Sequence, residues 1–219
     1  MFSIIKNKVL LIILLAVFGS PFGGSAFASD AVFDWGGVYV GGYFANTKVD
    51  AERTCTPTPG LCAVQKINAK SASSLDKNIG GFVGFNYTLD SILLGIEISG
   101  QYDVAKVKAN SVIAGTKGYV ELYKLMEYRL RVGYPQGKLL PYFSIGKGAM
   151  AQTFASYSGG GTYSSNFNSF GIGIDYAVSE NIIAGAEYIK ADWYYRNLGS
   201  FYRSDGNVTA LRFRLGYLF

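Results

Sequence analysis

Charged residues recur at every second position in two stretches of the sequence. Glu127, Arg129 and Arg131 alternate with apolar residues in EYRLRVG, and Arg212 and Arg214 do so in LRFRLGYLF. In an extended chain, residues two positions apart share a face, so each stretch would place its charges on one side. Guanidinium and carboxylate groups brought together in this way form ion pairs, or act as general acids and bases where a carboxyl pKa is raised.

The rest of the composition argues against catalysis. The chain contains no histidine, which excludes Ser-His-Asp hydrolysis and histidine-ligated zinc sites. Nearby arginines favour ionised structural carboxylates over tuned acids and bases. The triple glycine at 159–161 is not followed by Lys-Ser or Lys-Thr, so it does not match a phosphate-binding loop. We therefore predict a protein without catalytic residues, a metal site or a resident cofactor.

Alternation of apolar and polar residues predicts eight strands in the chain that follows Trp35. The pattern is clearest in LLGIEISGQYD, whose apolar residues fall on one face and whose acidic residues fall on the other. The predicted strands lie at 35–46, 79–88, 92–103, 119–134, 139–153, 165–177, 182–192 and 207–219.

The connections between these strands alternate between short and long. Short turns lie at 89–91, 135–138 and 178–181, and long polar stretches lie at 47–78, 104–118, 154–164 and 193–206. Short turns and long loops therefore fall at opposite ends of the strands. We predict an all-β fold, an eight-stranded antiparallel up-and-down transmembrane β-barrel with short periplasmic turns and long extracellular loops.

A secreted lipocalin-like barrel is the competing architecture, with the apolar faces turned inward around a cavity. Two features favour the apolar faces outward. Gly and Ser are frequent on the charged faces, and small residues suit the crowded interior of an eight-stranded barrel. Tyrosines near the short turns match an interfacial aromatic girdle; they are Tyr87, Tyr134, Tyr142, Tyr176 and Tyr217. The facing of the first, fifth and seventh strands stays open, because Lys147 and Lys190 interrupt the alternation.

The charged residues of the inward faces would then lie at similar depth and form an ion-pair network. A packed polar core that fixes strand register and seals the lumen is favoured over a gated conduit, because eight strands leave little room for water. The residues predicted to form this network are Glu97, Glu127, Arg129, Arg131, Asp175, Glu187, Arg212 and Arg214.

The N-terminal residues predict export. Two lysines precede an apolar run at 9–18 and small residues that end at Ala28, which is typical of a secretory signal peptide. The predicted division is a signal peptide at 1–28 and a barrel domain at 29–219. Cys55 and Cys62 lie in CTPTPGLC, where a turn would bring the thiols together, so a disulfide is predicted for an exported protein.

Binding is assigned to the predicted outer loops, which are basic and rich in tyrosine. A basic rim attracts phosphate, sulfate and carboxylate groups, so lipopolysaccharide is the first candidate ligand and a host-side ligand the second. A nucleic-acid role is not predicted for a chain in the outer membrane. The candidate binding residues are Lys106, Lys108, Lys117, Tyr157, Tyr163, Tyr194, Tyr195 and Tyr202.

Four segments together resemble the porin-like family of Gram-negative outer-membrane β-barrels, which includes major surface antigens, opacity-type proteins and hemin-binding surface proteins. These segments are DWGGVYVGGYFAN at 34–46, IGGFVGFNYTLDSILLGIEISGQYD at 79–103, EYRLRVGYPQGKLLPYFSIGKGAMA at 127–151, and the aromatic C-terminus. The resemblance implies an integral outer-membrane location. It also implies that Leu215, Tyr217 and Phe219 resemble the signal read by the outer-membrane assembly machinery.

The resemblance leaves three functions open: a surface binding protein, a small passive channel and a hemin receptor. Hemin would have to be ligated without histidine, and tyrosine is an alternative axial ligand to iron. The same outer-loop tyrosines would then be the candidates. The sequence favours a surface binding protein that is not an enzyme.

Overall fold

The computed structural model describes residues 33–55, 65–70, 78–110, 117–156, 159–196 and 202–219. All regular secondary structure in these ranges is β-strand. Within them, no helix is long and apolar enough to cross a membrane. The predicted signal peptide lies outside the described residues. The strands are β1 Gly37–Cys55, β2 Gln65–Lys70, β3 Ile79–Leu89, β4 Ile92–Asn110, β5 Lys117–Gly133, β6 Leu139–Ser156, β7 Gly159–Ala177, β8 Ile182–Arg196 and β9 Tyr202–Leu218.

Eight of these strands close into a barrel, as predicted. The order is β1-β3-β4-β5-β6-β7-β8-β9, with each strand antiparallel to its neighbours. The seam that closes the barrel pairs β1 with β9 from Tyr39 opposite Leu218 to Cys55 opposite Tyr202. Closure pairs the backbone groups of the first and last strands, which hydrocarbon would otherwise leave without partners.

A ninth, short strand was not predicted. β2 lies within the stretch 47–78 that the sequence analysis treated as a loop, and it pairs with β1 from Lys48 opposite Lys70 to Arg53 opposite Gln65. The reason is a difference in length, since β1 has 19 residues and β3 has 11. The part of β1 that β3 does not reach gains its second partner from β2.

The other long loops, predicted at 104–118, 154–164 and 193–206, were also predicted too long. β4 continues to Asn110 and β5 begins at Lys117, and the ladder between them runs to that pair. β6 and β7 pair as far as Ser156 opposite Gly159. Backbone hydrogen bonds between neighbouring strands do not require apolar side chains, so the ladders continue where the alternation of hydrophobicity has ended.

The apolar faces point outward and form a continuous band, here called the apolar belt. Its exposed side chains include Val40 and Phe44 on β1, which settles the facing that the sequence left open for the first strand. Lys147 on β6 and Lys190 on β8 also point outward, each immediately after the last apolar residue of the belt on its strand. These lysines interrupted the sequence pattern because they mark the edge of the belt.

Four of the five girdle tyrosines are exposed at the turn end of the barrel, namely Tyr87, Tyr134, Tyr176 and Tyr217. Tyr142 was assigned wrongly, since its side chain points into the barrel and is buried. It directly opposes Gly173 on β7, and the absence of a side chain there leaves room for its ring.

The apolar belt covers only part of the barrel wall. On β9 it comprises Leu211, Phe213, Leu215 and Tyr217, and the outward positions before it are Asn207 and Thr209. Seven residues of a strand rise roughly 20 Å along its axis, and less along the membrane normal because the strand is tilted. β9 has 17 residues, so its loop end continues well beyond the belt.

Candidate functional site

The eight predicted inward charges all lie inside the barrel, and each residue is 5 % exposed or less. Four are carboxylates and four are guanidiniums, so the formal charges cancel. They project from β4, β5, β7, β8 and β9 into one shared volume, here called the ion network. The structure brings all eight together, and hydrogen bonds and ion pairs connect them.

Glu97 on β4 is the centre of the ion network. Its Oε2 accepts hydrogen bonds from Arg214 Nη2 at 2.6 Å, Tyr39 Oη at 3.0 Å and Arg131 Nη1 at 3.4 Å. Its Oε1 accepts a hydrogen bond from Arg129. One carboxylate therefore contacts three guanidiniums from two strands, which holds β4, β5 and β9 in register.

Asp175 on β7 joins this centre through the other side of the same arginines. Arg131 Nη2 donates to Asp175 Oδ2 at 2.6 Å, and Arg214 Nε lies 3.5 Å from Asp175 Oδ1. The Arg131 guanidinium also stacks on the Tyr142 ring, 3.8 Å from its centroid. Burial without partners would cost several kcal/mol per charge, and these contacts supply the partners.

The remaining carboxylates complete the ion network. Glu187 accepts hydrogen bonds from Arg129 Nη1 at 2.7 Å and from Ser144 Oγ at 3.2 Å. Glu127 accepts from Ser99 Oγ at 3.2 Å, from Arg212 Nη1 at 3.3 Å and from Ser169. Serines on the inward faces therefore serve as hydrogen-bond donors as well as small residues.

Apolar side chains fill the lumen on both sides of the ion network. At the turn end, Trp35 is buried against Leu93, Leu140 and Leu218 and donates its indole N–H to Gly137 O at 2.9 Å. A second cluster towards the loop end contains Met150, Phe167 and Trp193 among other apolar residues. In the described part of the chain, the lumen is thus occupied at three successive levels.

Inward aromatic rings lie over glycines that directly oppose them on the neighbouring strand. Sequence reasoning associated inward glycines with crowding but did not find these pairs, because the register is needed to see them. A Cβ added at any of these glycines would lie within 2.5 Å of the ring. The pairs are Tyr39 with Gly84, Tyr43 with Gly80, Phe82 with Gly41, Tyr142 with Gly173, Phe167 with Gly148 and Trp193 with Gly206.

Most predicted loop ligands lie on strands. Tyr157 lies outside the described residues, and Tyr163 is half-buried on β7. The others occupy backbone positions near the loop end, so the prediction that they are loop residues was wrong, while their role in binding stays a prediction. Lys106 and Lys108 lie on β4, Lys117 on β5, Tyr194 and Tyr195 on β8, and Tyr202 on β9.

The predicted assembly residues Leu215, Tyr217 and Phe219 share the outward face of the last strand and its end. Phe219 N donates to Val38 O at 2.9 Å, and its ring packs edge-on against Tyr217 with centroids 4.9 Å apart. The predicted disulfide cannot be placed, since Cys55 ends β1 and Cys62 lies outside the described residues.

Comparisons with known proteins agree with this architecture. The family model for the outer membrane protein beta-barrel domain matches residues 12–219. The 25 kDa outer-membrane immunogenic protein of Brucella canis is 25% identical over 231 residues, covering 97% of this chain and 98% of that protein. The 31 kDa outer-membrane immunogenic protein of Brucella melitensis is 27% identical over 249 residues, covering 94% of this chain and 99% of that protein.

Among solved structures, Ail, the attachment invasion locus protein of Yersinia pestis, is similar with a TM-score of 0.45 and 13% identity, covering 84% of this chain and 100% of that chain. The outer membrane protease OmpT of Escherichia coli gives a TM-score of 0.48 and 10% identity, with 90% and 99% coverage. The match of the family model over nearly the whole sequence, together with the closed barrel and its apolar belt, identifies the chain as a member of the outer membrane protein beta-barrel family and as an integral protein of the outer membrane.

Proposed function

We propose that this protein is a non-enzymatic surface barrel whose external end binds anionic groups, those of lipopolysaccharide first and those of host-side ligands second. The observation that carries the proposal is the continuation of the strands beyond the apolar belt. The barrel wall there stands outside the hydrocarbon and forms a hydrogen-bonded scaffold, on which binding residues are held more precisely than on loops.

The sequence of this external wall supports an anionic ligand. Lys106, Lys108 and Lys117 lie on β4 and β5 near the loop end, and Lys117 pairs with Asn110, which is two positions along β4 from Lys108. Clustered cations on one part of a rim raise the local concentration of anions. Hemin stays a prediction that no contact of the described residues favours.

Binding of a soluble anion tests the proposal. We expect a phosphorylated core oligosaccharide without acyl chains to bind the refolded barrel, and the triple variant Lys106→Ala, Lys108→Ala, Lys117→Ala to bind it at least about tenfold more weakly, since each lost charged contact is worth roughly 1 kcal/mol or more. Isothermal titration in detergent micelles measures both. Lys138→Ala, at the periplasmic turn, is the control. Equal binding by all three proteins would contradict the proposal.

The filled lumen predicts that the barrel does not conduct ions. Trp35, the ion network and the cluster around Trp193 follow one another along the barrel axis. Eight strands enclose little more than their own side chains. Planar-bilayer recordings of purified, folded protein should show no stepwise conductance above that of a heat-denatured sample. Steps of uniform size that scale with salt concentration would instead support the passive channel.

A further inference from the structure

Four described lysines are exposed or half-exposed just beyond the apolar belt, namely Lys48, Lys124, Lys147 and Lys190, and two of them are paired with carboxylates. Lys48 Nζ lies 3.0 Å from Asp50, and Lys190 Nζ lies 3.5 Å from Asp192. Lys147 is exposed on β6 and makes no ion pair with any residue in the described part of the chain. Lys147 is therefore an unneutralised cation at the edge of the apolar belt, and exposed Lys124 on β5, with its Nζ 5.9 Å from the centroid of the Tyr123 ring, lies further towards the loop end.

The register surrounds Lys147 with hydrogen-bonding side chains. Asn168 on β7 and Tyr128 on β5 oppose it directly. Asn166 lies one outward position further towards the loop end, opposite Ala149. Asn166 and Asn168 are both exposed, so their amide groups are available to a ligand lying against the wall.

Further along the same strands, three hydroxyl groups form a cluster on the outer surface. Thr153 Oγ1 lies 3.3 Å from Tyr123 Oη and 3.0 Å from Thr162 Oγ1, and Tyr123 Oη lies 3.4 Å from Thr162 Oγ1. Thr153 is six residues beyond Lys147 on β6, which is roughly 20 Å along the strand. Polar groups thus continue well past the cation.

On the membrane side of Lys147 the wall carries a groove of about 890 Å³, lined mainly by apolar side chains such as Ile96, Leu130 and Ile145. A second groove of about 640 Å³ holds Asn166 and Asp192. Both grooves include Lys147, Tyr128 and Asn168 in their lining. The two form one outward stripe, apolar within the membrane and polar beyond it.

We propose that this stripe binds a phosphorylated glycolipid of the outer leaflet, with the chemistry of lipid A. An acyl chain lies in the apolar groove, a sugar phosphate contacts Lys147 and the Asn168 amide, and the sugars extend towards Asn166 and the hydroxyl cluster. The inference rests on the proposed function in naming lipopolysaccharide as ligand, but it places the lipid on the barrel wall and not at the rim.

The length of the polar part favours a glycolipid over a glycerophospholipid. A glycerophospholipid headgroup ends close to its phosphate, whereas a disaccharide continues beyond it and would use the amides and hydroxyls above Lys147. Asp192 lies two strands from Lys147, opposite Asn168. Its carboxylate, already paired with Lys190, disfavours a second anionic group on that side.

Lipid A binding to the full-length refolded protein tests the inference. We expect Lys147→Ala to weaken binding of bisphosphorylated lipid A about tenfold or more, because a charge-assisted contact to phosphate is lost. Lys190→Ala, at the same level but paired in the native protein, should change binding less than about twofold. Native mass spectrometry from detergent gives both affinities, and heat-modifiable gel migration verifies that each variant is folded.

Two further probes separate the sources of the phosphate. Dephosphorylated lipid A should bind wild type and Lys147→Ala alike, and phosphatidylglycerol should bind wild type at least about tenfold more weakly than lipid A. Equal loss in Lys147→Ala and Lys190→Ala, or equal binding of phosphatidylglycerol and lipid A, would overturn the inference. If the wild-type protein still bound the soluble core oligosaccharide, only the lipid site on the wall would be rejected, and the proposed binding at the external end would stand.

Discussion

Replacing Glu97 with alanine should lower the free energy of unfolding of the barrel by about 5 kcal/mol, the upper end of the range for a broken buried ion pair. The substitution removes the carboxylate that contacts Arg129, Arg131 and Arg214. Those guanidiniums would remain in the lumen with fewer acceptors, and the interior would carry a net positive charge. Equilibrium unfolding in urea, followed by tryptophan fluorescence in lipid vesicles, measures the change.

Two control variants separate charge from shape and from exposure. Glu97→Gln retains the volume and one acceptor oxygen, so a loss nearly as large as that of alanine would assign the effect to charge. Asp192→Asn breaks the exposed pair with Lys190 and should cost less than about 1 kcal/mol. If Glu97→Ala cost no more than Asp192→Asn, the ion network would not be a source of stability.

The second large effect is expected at the seam of the barrel, with Gly41→Ala. A Cβ at Gly41 would lie 2.2 Å from Leu215 O, 2.4 Å from the Phe82 ring and 2.7 Å from Gly216 Cα. The ring of Phe82 has freedom to move, but the carbonyl of Leu215 belongs to the β1–β9 ladder. We expect a loss of about 3 kcal/mol or more, seen as a lower unfolding free energy and a smaller folded band on unheated gels.

The adjacent Gly42→Ala is the matched control, because Gly42 faces outward. Its added Cβ would meet only Gly80 O, at 3.5 Å, which is ordinary contact distance. The alanine should be nearly neutral in stability. Gly173→Ala should fall between the two, since its added Cβ meets mainly the ring end of Tyr142. Equal effects at Gly41 and Gly42 would refute the steric role assigned to the inward glycine.

The barrel could be predicted from the sequence because its signals are local. Period-two alternation on β4 and β5 located the strands and assigned their charged faces inward, where the structure has Glu97, Arg129 and Arg131. The extent of the strands could not be predicted, because the outward face becomes polar beyond the apolar belt while the inward face there is apolar, as at Phe167 and Trp193. β2 was missed because its pairing depends on how far β3 reaches.

The outward stripe could not be predicted from the sequence, because its residues become neighbours only through the register between strands. Lys147 appeared only as an interruption of an apolar pattern, since nothing local to β6 shows that Asn168 opposes it or that Thr153 meets Thr162. Lys147 differs from Lys190 because Lys190 pairs with Asp192, and the sequence alone does not show which lysine has a carboxylate within reach. Tyr142 was misplaced because the glycine that accommodates its ring, Gly173, lies on another strand.

The charge balance of the lumen limits how this protein can enter the membrane. Without β9, the strands from β3 to β8 hold all four interior carboxylates but only Arg129 and Arg131. A sheet inserted before its last strand would therefore carry two uncompensated negative charges into hydrocarbon, at a cost of several kcal/mol each. Arg212 and Arg214 on β9 supply the two positive charges that balance the interior of the other strands. This cost favours insertion of the strands together with β9 over insertion of one hairpin after another.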